Sequence, residues 1–195
     1  MDLPFAHLNL RFNPFGEPDL ADRPGLAVVE LPALATGDAV QFVGESGRGK
    51  TTHLLALAAR RPEAVYRKLD PGEDRCELPD SGLLLLDEAQ RLRSTLLRRL
   101  FAARLTLALG THEDLSRFAS KPLTTVRLAG LSLDRLRAVV CRRIEWARRG
   151  PGPVPVVADA SLVVLLSRHG DDLRAIEWRL YDAVQAMKER GHVPV

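Results

Sequence analysis

Gly44-Glu45-Ser46-Gly47-Arg48-Gly49-Lys50-Thr51 matches the pattern G-x-x-x-x-G-K-[ST] at every fixed position. Such a run suits a polyphosphate. Glycines let the backbone curl so that successive N–H groups point inward, and a following helix adds the favourable end of its dipole. The context agrees: Ala39–Val43 reads as a short apolar strand, and Thr51–Arg60 carries Leu54, Leu55, Leu57 and Ala58 at helical spacing. In that arrangement Gly44 to Thr52 form the cradle, Lys50 reaches the β- and γ-phosphates, and the Thr51 hydroxyl ligates Mg²⁺. A chance glycine-rich turn is the ordinary alternative, and the flanking elements weigh against it.

The second group with chemical potential is Leu83-Leu84-Leu85-Leu86-Asp87-Glu88. Four apolar residues between Gly82 and a carboxylate suit a strand buried on both faces of a parallel sheet. Alone, such a strand end is as often merely solvated. Downstream of a phosphate loop, it places Asp87 to hold Mg²⁺ through water and Glu88 to polarise an attacking water as general base.

The elements that position these residues alternate. Strand candidates at Ala64–Leu69, Leu83–Leu86, Leu105–Leu109 (ended by Gly110) and Thr124–Leu128 join Ala39–Val43, and a helix is expected over Ala89–Ala103. Strands separated by helices require crossovers, so the expected fold class is α/β with a five-stranded, mostly parallel sheet. From Ser132 the pattern turns wholly helical. Ser132, Asp159 and Asp171 or Asp172 are candidate caps, and Gly170 and Gly191 candidate stops. Three segments follow: an N-terminal arm at 1–38, rich in Pro, Gly and Asp with a short strand near Leu26–Leu31; a nucleotide-binding body at 39–130; and a small helical lid at 131–195.

Together these motifs resemble those of the AAA+ P-loop ATPases over roughly Val40 to Met187. The glycine loop and the Asp87-Glu88 strand correspond to Walker A and B, which many P-loop proteins share. Three further passages favour AAA+. Thr111 falls where the family places its polar sensor-1 residue; the plain alternative is a helix cap shared with Asp114. Leu115-Ser116-Arg117-Phe118 resembles the passage whose arginine acts on a neighbouring subunit's γ-phosphate, against the alternative of a surface arginine; Arg98, Arg99 and Arg104 are fallbacks. Gly170-Asp171-Asp172-Leu173-Arg174 resembles the sensor-2 entry, which would bring Arg174 to the nucleotide. The general pattern is most similar to transposition-regulating and ExeA-like members. Phe12 and Phe15 of the arm either wall the adenine or staple the arm to the sheet.

The departures from the family are a short interval between the second and third strands, a three-helix lid and no aromatic pore loop. The resemblance implies ATP and Mg²⁺ as cofactors, hydrolysis at inter-subunit sites, a homo-oligomeric ring or filament, and control of an unidentified protein partner, with DNA a further candidate. The alternative function is a nucleotide-gated oligomerising switch with little turnover. An ABC-type ATPase is disfavoured because no L-S-G-G-Q signature occurs.

Composition agrees with a folded chain that needs no metal or disulfide to hold it. Of 195 residues 46% are hydrophobic and the net charge is +3, which argues against disorder. No apolar run approaches the roughly 20 residues of a membrane helix. The two cysteines, Cys76 and Cys141, are far apart and suit a reducing cytoplasm, and the five histidines show no metal-ligand spacing.

Overall fold

The computed structural model describes residues 4–128 and 130–195; residues 1–3 of the expected arm and Ala129 at the end of the expected body lie outside them. The chain divides into two compact units, one formed by residues 29–129 and the other by the first 28 residues together with Gly130–Val195.

In the first unit five strands form one sheet: β1 (Ala39–Val43), β2 (Val65–Lys68), β3 (Gly82–Asp87), β4 (Leu105–Thr111) and β5 (Leu123–Arg127). Their order is β2-β3-β4-β1-β5, and every pairing is parallel. The fold class is therefore α/β with an all-parallel sheet, an architecture compatible with Rossmann-like and P-loop folds.

Strand alternation explains the run of leucines. Leu83 and Leu85 of β3 pack with Val40 and Phe42 of β1 and with Leu54 and Leu57 of α1 (Lys50–Ala59). Leu84 and Leu86 pack with Leu105, Leu107 and Leu109 of β4 and with Leu97, Leu100 and Phe101 of α2 (Ser94–Ala102). A strand covered on both faces has no position to spare for a polar residue until it leaves the core, and β3 does so at Asp87.

Several elements differ from expectation. The helix expected over Ala89–Ala103 is interrupted: a 3-10 turn at Ala89–Arg91 precedes α2, and Leu92 and Arg93 are extended. Arg93 is held there by Asp74, whose carbonyl accepts its N–H and whose carboxylate pairs with its guanidinium. Gly110 does not end β4, which continues through Thr111 paired with Val43. No strand forms near Leu26–Leu31: Arg23–Leu26, with Pro24 in its first turn, is a 3-10 turn and residues 27–35 are irregular. The connection from β2 to β3 contains no helix.

The second unit contains α3 (Leu133–Ala147), α4 (Asp159–His169) and α5 (Leu173–Gln185). Ser132 caps α3 by accepting the Arg135 N–H, and Asp172 caps α5 by accepting the Ala175 N–H. Asp159 is the first residue of α4 rather than its cap, and its carboxylate pairs with Arg137 of α3. α5 ends at Gln185, short of Gly191. Leu8, Leu10 and Phe15 are buried among these helices, while Phe12 lies against Trp146 with ring centroids 4.5 Å apart. The two phenylalanines thus serve the core of the helical unit rather than stapling the arm to the sheet, because the apolar faces of α3, α4 and α5 are what they pack against. Arg143 fixes this packing: its guanidinium pairs with Glu177 at 2.6 Å and donates to the Gly16 carbonyl at 2.8 Å. Among the described residues no helix is long and apolar enough to cross a membrane.

Candidate functional site

A parallel sheet delivers all its carboxyl ends to one edge, where open α/β sheets bind ligands. Register brings Lys68, Asp87 and Gly110 into one row, with Val43 paired to Thr111 and Arg127 beside them. The loop 44–49 leaves β1 on this edge and enters α1 at Lys50. Gly47 and Gly49 have φ of 80° and 88°, a left-handed backbone that a side chain would resist, and Gly49 is the residue that admits the chain into α1.

Lys50 is 5% exposed, and its ammonium donates to the carbonyls of Gly44 at 2.8 Å and Glu45 at 3.0 Å. Burial lowers its pKa, and the charges of Glu88, Asp87 and Glu45 oppose that shift. A cation is thereby held against the loop backbone with carboxylates close by. An ammonium has three donors, so one remains beyond these two bonds for a further acceptor.

Asp87 is 1% exposed and faces α1. Its Oδ2 accepts the Thr51 hydroxyl at 2.5 Å and the Tyr66 hydroxyl at 3.2 Å, and its Oδ1 accepts the Glu88 N–H at 3.1 Å. The Thr51–Asp87 contact ties the start of α1 to the end of β3. Gly110 makes room for it: a Cβ there would lie 2.5 Å from Asp87 Oδ1 and 2.9 Å from Leu54 Cδ1.

Glu88 adopts φ 63° and ψ 35°, a left-handed conformation that is unusual for a residue with a side chain. Its Oε2 accepts from Gln90 Nε2 at 2.9 Å and lies 3.4 Å from Arg91 Nη2, and its Oε1 is 3.3 Å from His112 Nε2. Burial pushes its pKa up, but the Gln90 hydrogen bond, His112 and the Lys50 charge outweigh burial and hold the carboxyl below its ordinary value.

The remaining sequence candidates lie as follows. Thr111 is fully buried at the end of β4; its hydroxyl donates to the Glu113 carbonyl at 2.8 Å and accepts the Glu113 N–H at 3.2 Å. It pairs with the turn after its own strand, and Asp114 forms no capping box with it. Asp114 accepts instead from Gln41, the Ser116 N–H and Arg127. Arg117 is exposed in the 3-10 turn Ser116–Phe118, over the Phe118 ring at 4.8 Å and 3.3 Å from Glu113 Oε2. Arg174 is exposed in the first turn of α5, in the helical unit, where its charge acts on Glu177. Glu45, Ser46 and Gly47 are exposed on the loop, Arg48 and Thr52 half-buried.

Sequence reasoning passed over three residues. Tyr66 lies within the strand expected at Ala64–Leu69, and alternation puts it on the Asp87 face of β2. Gln90 and His112 follow the ends of β3 and β4, and this position on the carboxyl edge was their only signal. His53 packs in α1 and also fixes the loop: Nε2 accepts the Val29 N–H at 3.2 Å, so Nδ1 carries the proton donated to the Gly49 carbonyl at 2.7 Å.

Among the described residues no group of three or more His, Cys, Asp or Glu could hold a metal by itself. The adjacent oxygens of Thr51 and Asp87 fit a Mg²⁺ that takes its other ligands from water and phosphate, as this ion commonly does.

No family model and no curated protein matches the chain. The crystal structure of Saccharomyces cerevisiae RIF2 is similar over 85% of this chain and 84% of that one, with 7% identity and a TM-score of 0.39; a likeness this slight carries no argument about fold or function.

Proposed function

We propose that this protein is a P-loop ATPase of the AAA+ type that binds MgATP on the carboxyl edge of its sheet, hydrolyses it, and uses the cycle to regulate assembly with a partner. The observation that carries the reading is the contact between Thr51 and Asp87 at 2.5 Å beside the buried Lys50 ammonium. It joins the two separate sequence motifs in one place.

In this reading the loop N–H groups and Lys50 bind the phosphates. Thr51 and Asp87 hold Mg²⁺, which when bound neutralises phosphate charge and orients the γ-phosphoryl group. Tyr66 and Thr51 fix the Asp87 carboxylate, and Glu88 accepts a proton from the attacking water. The exposed Arg117 suits a role on a second copy of the chain, since its guanidinium lies over the ring of Phe118 and beside Glu113, itself exposed. Arg174 is the proposed sensor of the lid. The partner is a protein, with DNA a further candidate.

The test is a nucleotide titration of wild type, Lys50→Ala and Glu88→Gln, with turnover measured in parallel. Lys50→Ala should lose tight MgATP binding, and unchanged affinity removes the cradle assignment. Glu88→Gln should bind ATP without hydrolysing it. Binding without turnover in the wild type, even with partners, favours the gated switch instead.

A further inference from the structure

Glu88, Gln90 and His112 close a ring of contacts between the ends of β3 and β4. Gln90 Nε2 donates to Glu88 Oε2 at 2.9 Å, Gln90 Oε1 accepts the His112 backbone N–H at 3.3 Å, and His112 Nε2 returns to Glu88 Oε1 at 3.3 Å. Each oxygen of the carboxylate thus has its own partner from a different strand end. The Glu88 side chain is 16% exposed and its backbone is left-handed, so its direction is over-determined by the surroundings. His112 also faces the phosphate loop, with Nδ1 4.0 Å from Glu45 Oε2. The histidine stands between the loop and the proposed base.

We infer that Gln90 and His112 are positioning residues that aim the Glu88 carboxylate at the attacking water, with His112 holding the Nε2–H tautomer toward it. This inference rests on the ATPase reading and adds two residues to it. Neither residue is placed on the phosphates, so each should affect the chemical step and leave nucleotide affinity alone. A carboxylate displaced by about 1 Å can lose up to roughly a hundredfold in rate. The two residues support one group, so their effects should not add.

The experiment measures kcat and nucleotide Kd for wild type, Gln90→Ala, His112→Ala, the double variant and His112→Gln, together with imidazole ¹⁵N spectra of the nucleotide-free protein. Each alanine variant should lose roughly tenfold to a hundredfold in kcat with Kd within about twofold. The double variant should be little worse than the poorer single one. His112→Gln, which keeps a donor, should recover part of the rate. The spectra should report Nε2–H for His112 in wild type and an altered pattern in Glu88→Ala. Unchanged kcat in both alanine variants overturns the inference and leaves the ATPase reading intact; so do losses in which Kd moves as much as kcat. A wild type that fails to bind MgATP overturns both.

Discussion

At Gly110 one hydrogen atom stands where any other residue would put a β-carbon against Asp87. The would-be Cβ lies 2.5 Å from the carboxylate of Asp87, which Thr51, Tyr66 and the Glu88 N–H hold, and 2.9 Å from Leu54 of α1, which is fully buried. Gly110→Ala should therefore lower the melting temperature, with a cost of about 1–3 kcal/mol for overpacking, and weaken MgATP binding measured by titration. Asp114 makes a second prediction at this scale. The Ser116 backbone N–H, then Gln41, hold its pKa down, from 3.8 to about 2. As pH falls, the unfolded chain takes up this proton first. The stabilisation is thus complete above about pH 4 and is lost as pH falls toward 2. Asp114→Asn should be less stable than wild type at pH 7 in urea unfolding, and the gap should narrow through that window.

Among the elements, α3 and α5 carry the clearest demands. Arg143 and Glu177 face each other with side chains only 11% and 17% exposed, and burial, working against the Arg143 charge, holds Glu177 above the ordinary carboxylate range. Removing Arg143 takes from the buried Glu177 the guanidinium that pairs with it. Arg143→Ala should cost about 3–5 kcal/mol by chemical denaturation, and it also releases the Gly16 carbonyl that ties the first residues to the helices. Arg143→Met with Glu177→Leu should recover much of that loss. Ser132→Ala, which removes only a cap, should cost about 1 kcal/mol.

For the whole molecule, ligand linkage and assembly provide the measurements. A nucleotide that binds only the folded chain adds about 2.7 kcal/mol at a hundredfold excess over Kd. MgATP should raise the melting temperature of wild type and not of Lys50→Ala. If Arg117 completes the site of another copy, Arg117→Ala mixed with Lys50→Ala should regain part of the activity that each lacks; no rescue at any ratio rejects action between subunits.

The sequence by itself determined the succession from β1 to α5, though not the strand expected near Leu26–Leu31, because a strand buried on both faces must be apolar throughout and a helix must repeat its apolar face every three or four residues. It also singled out Gly44–Thr51 and Asp87-Glu88 as the candidate site, since glycines free a loop to curl and a carboxylate after four leucines stands out. Only the tertiary structure decided that Tyr66 reaches Asp87, that Gln90 and His112 reach Glu88, that Gly110 clears space inside a strand, and that Phe15 belongs to the helical core. These contacts join residues from different elements. They depend on the order and register of strands, which parallel pairing settles through contacts distant along the chain and not through any local pattern.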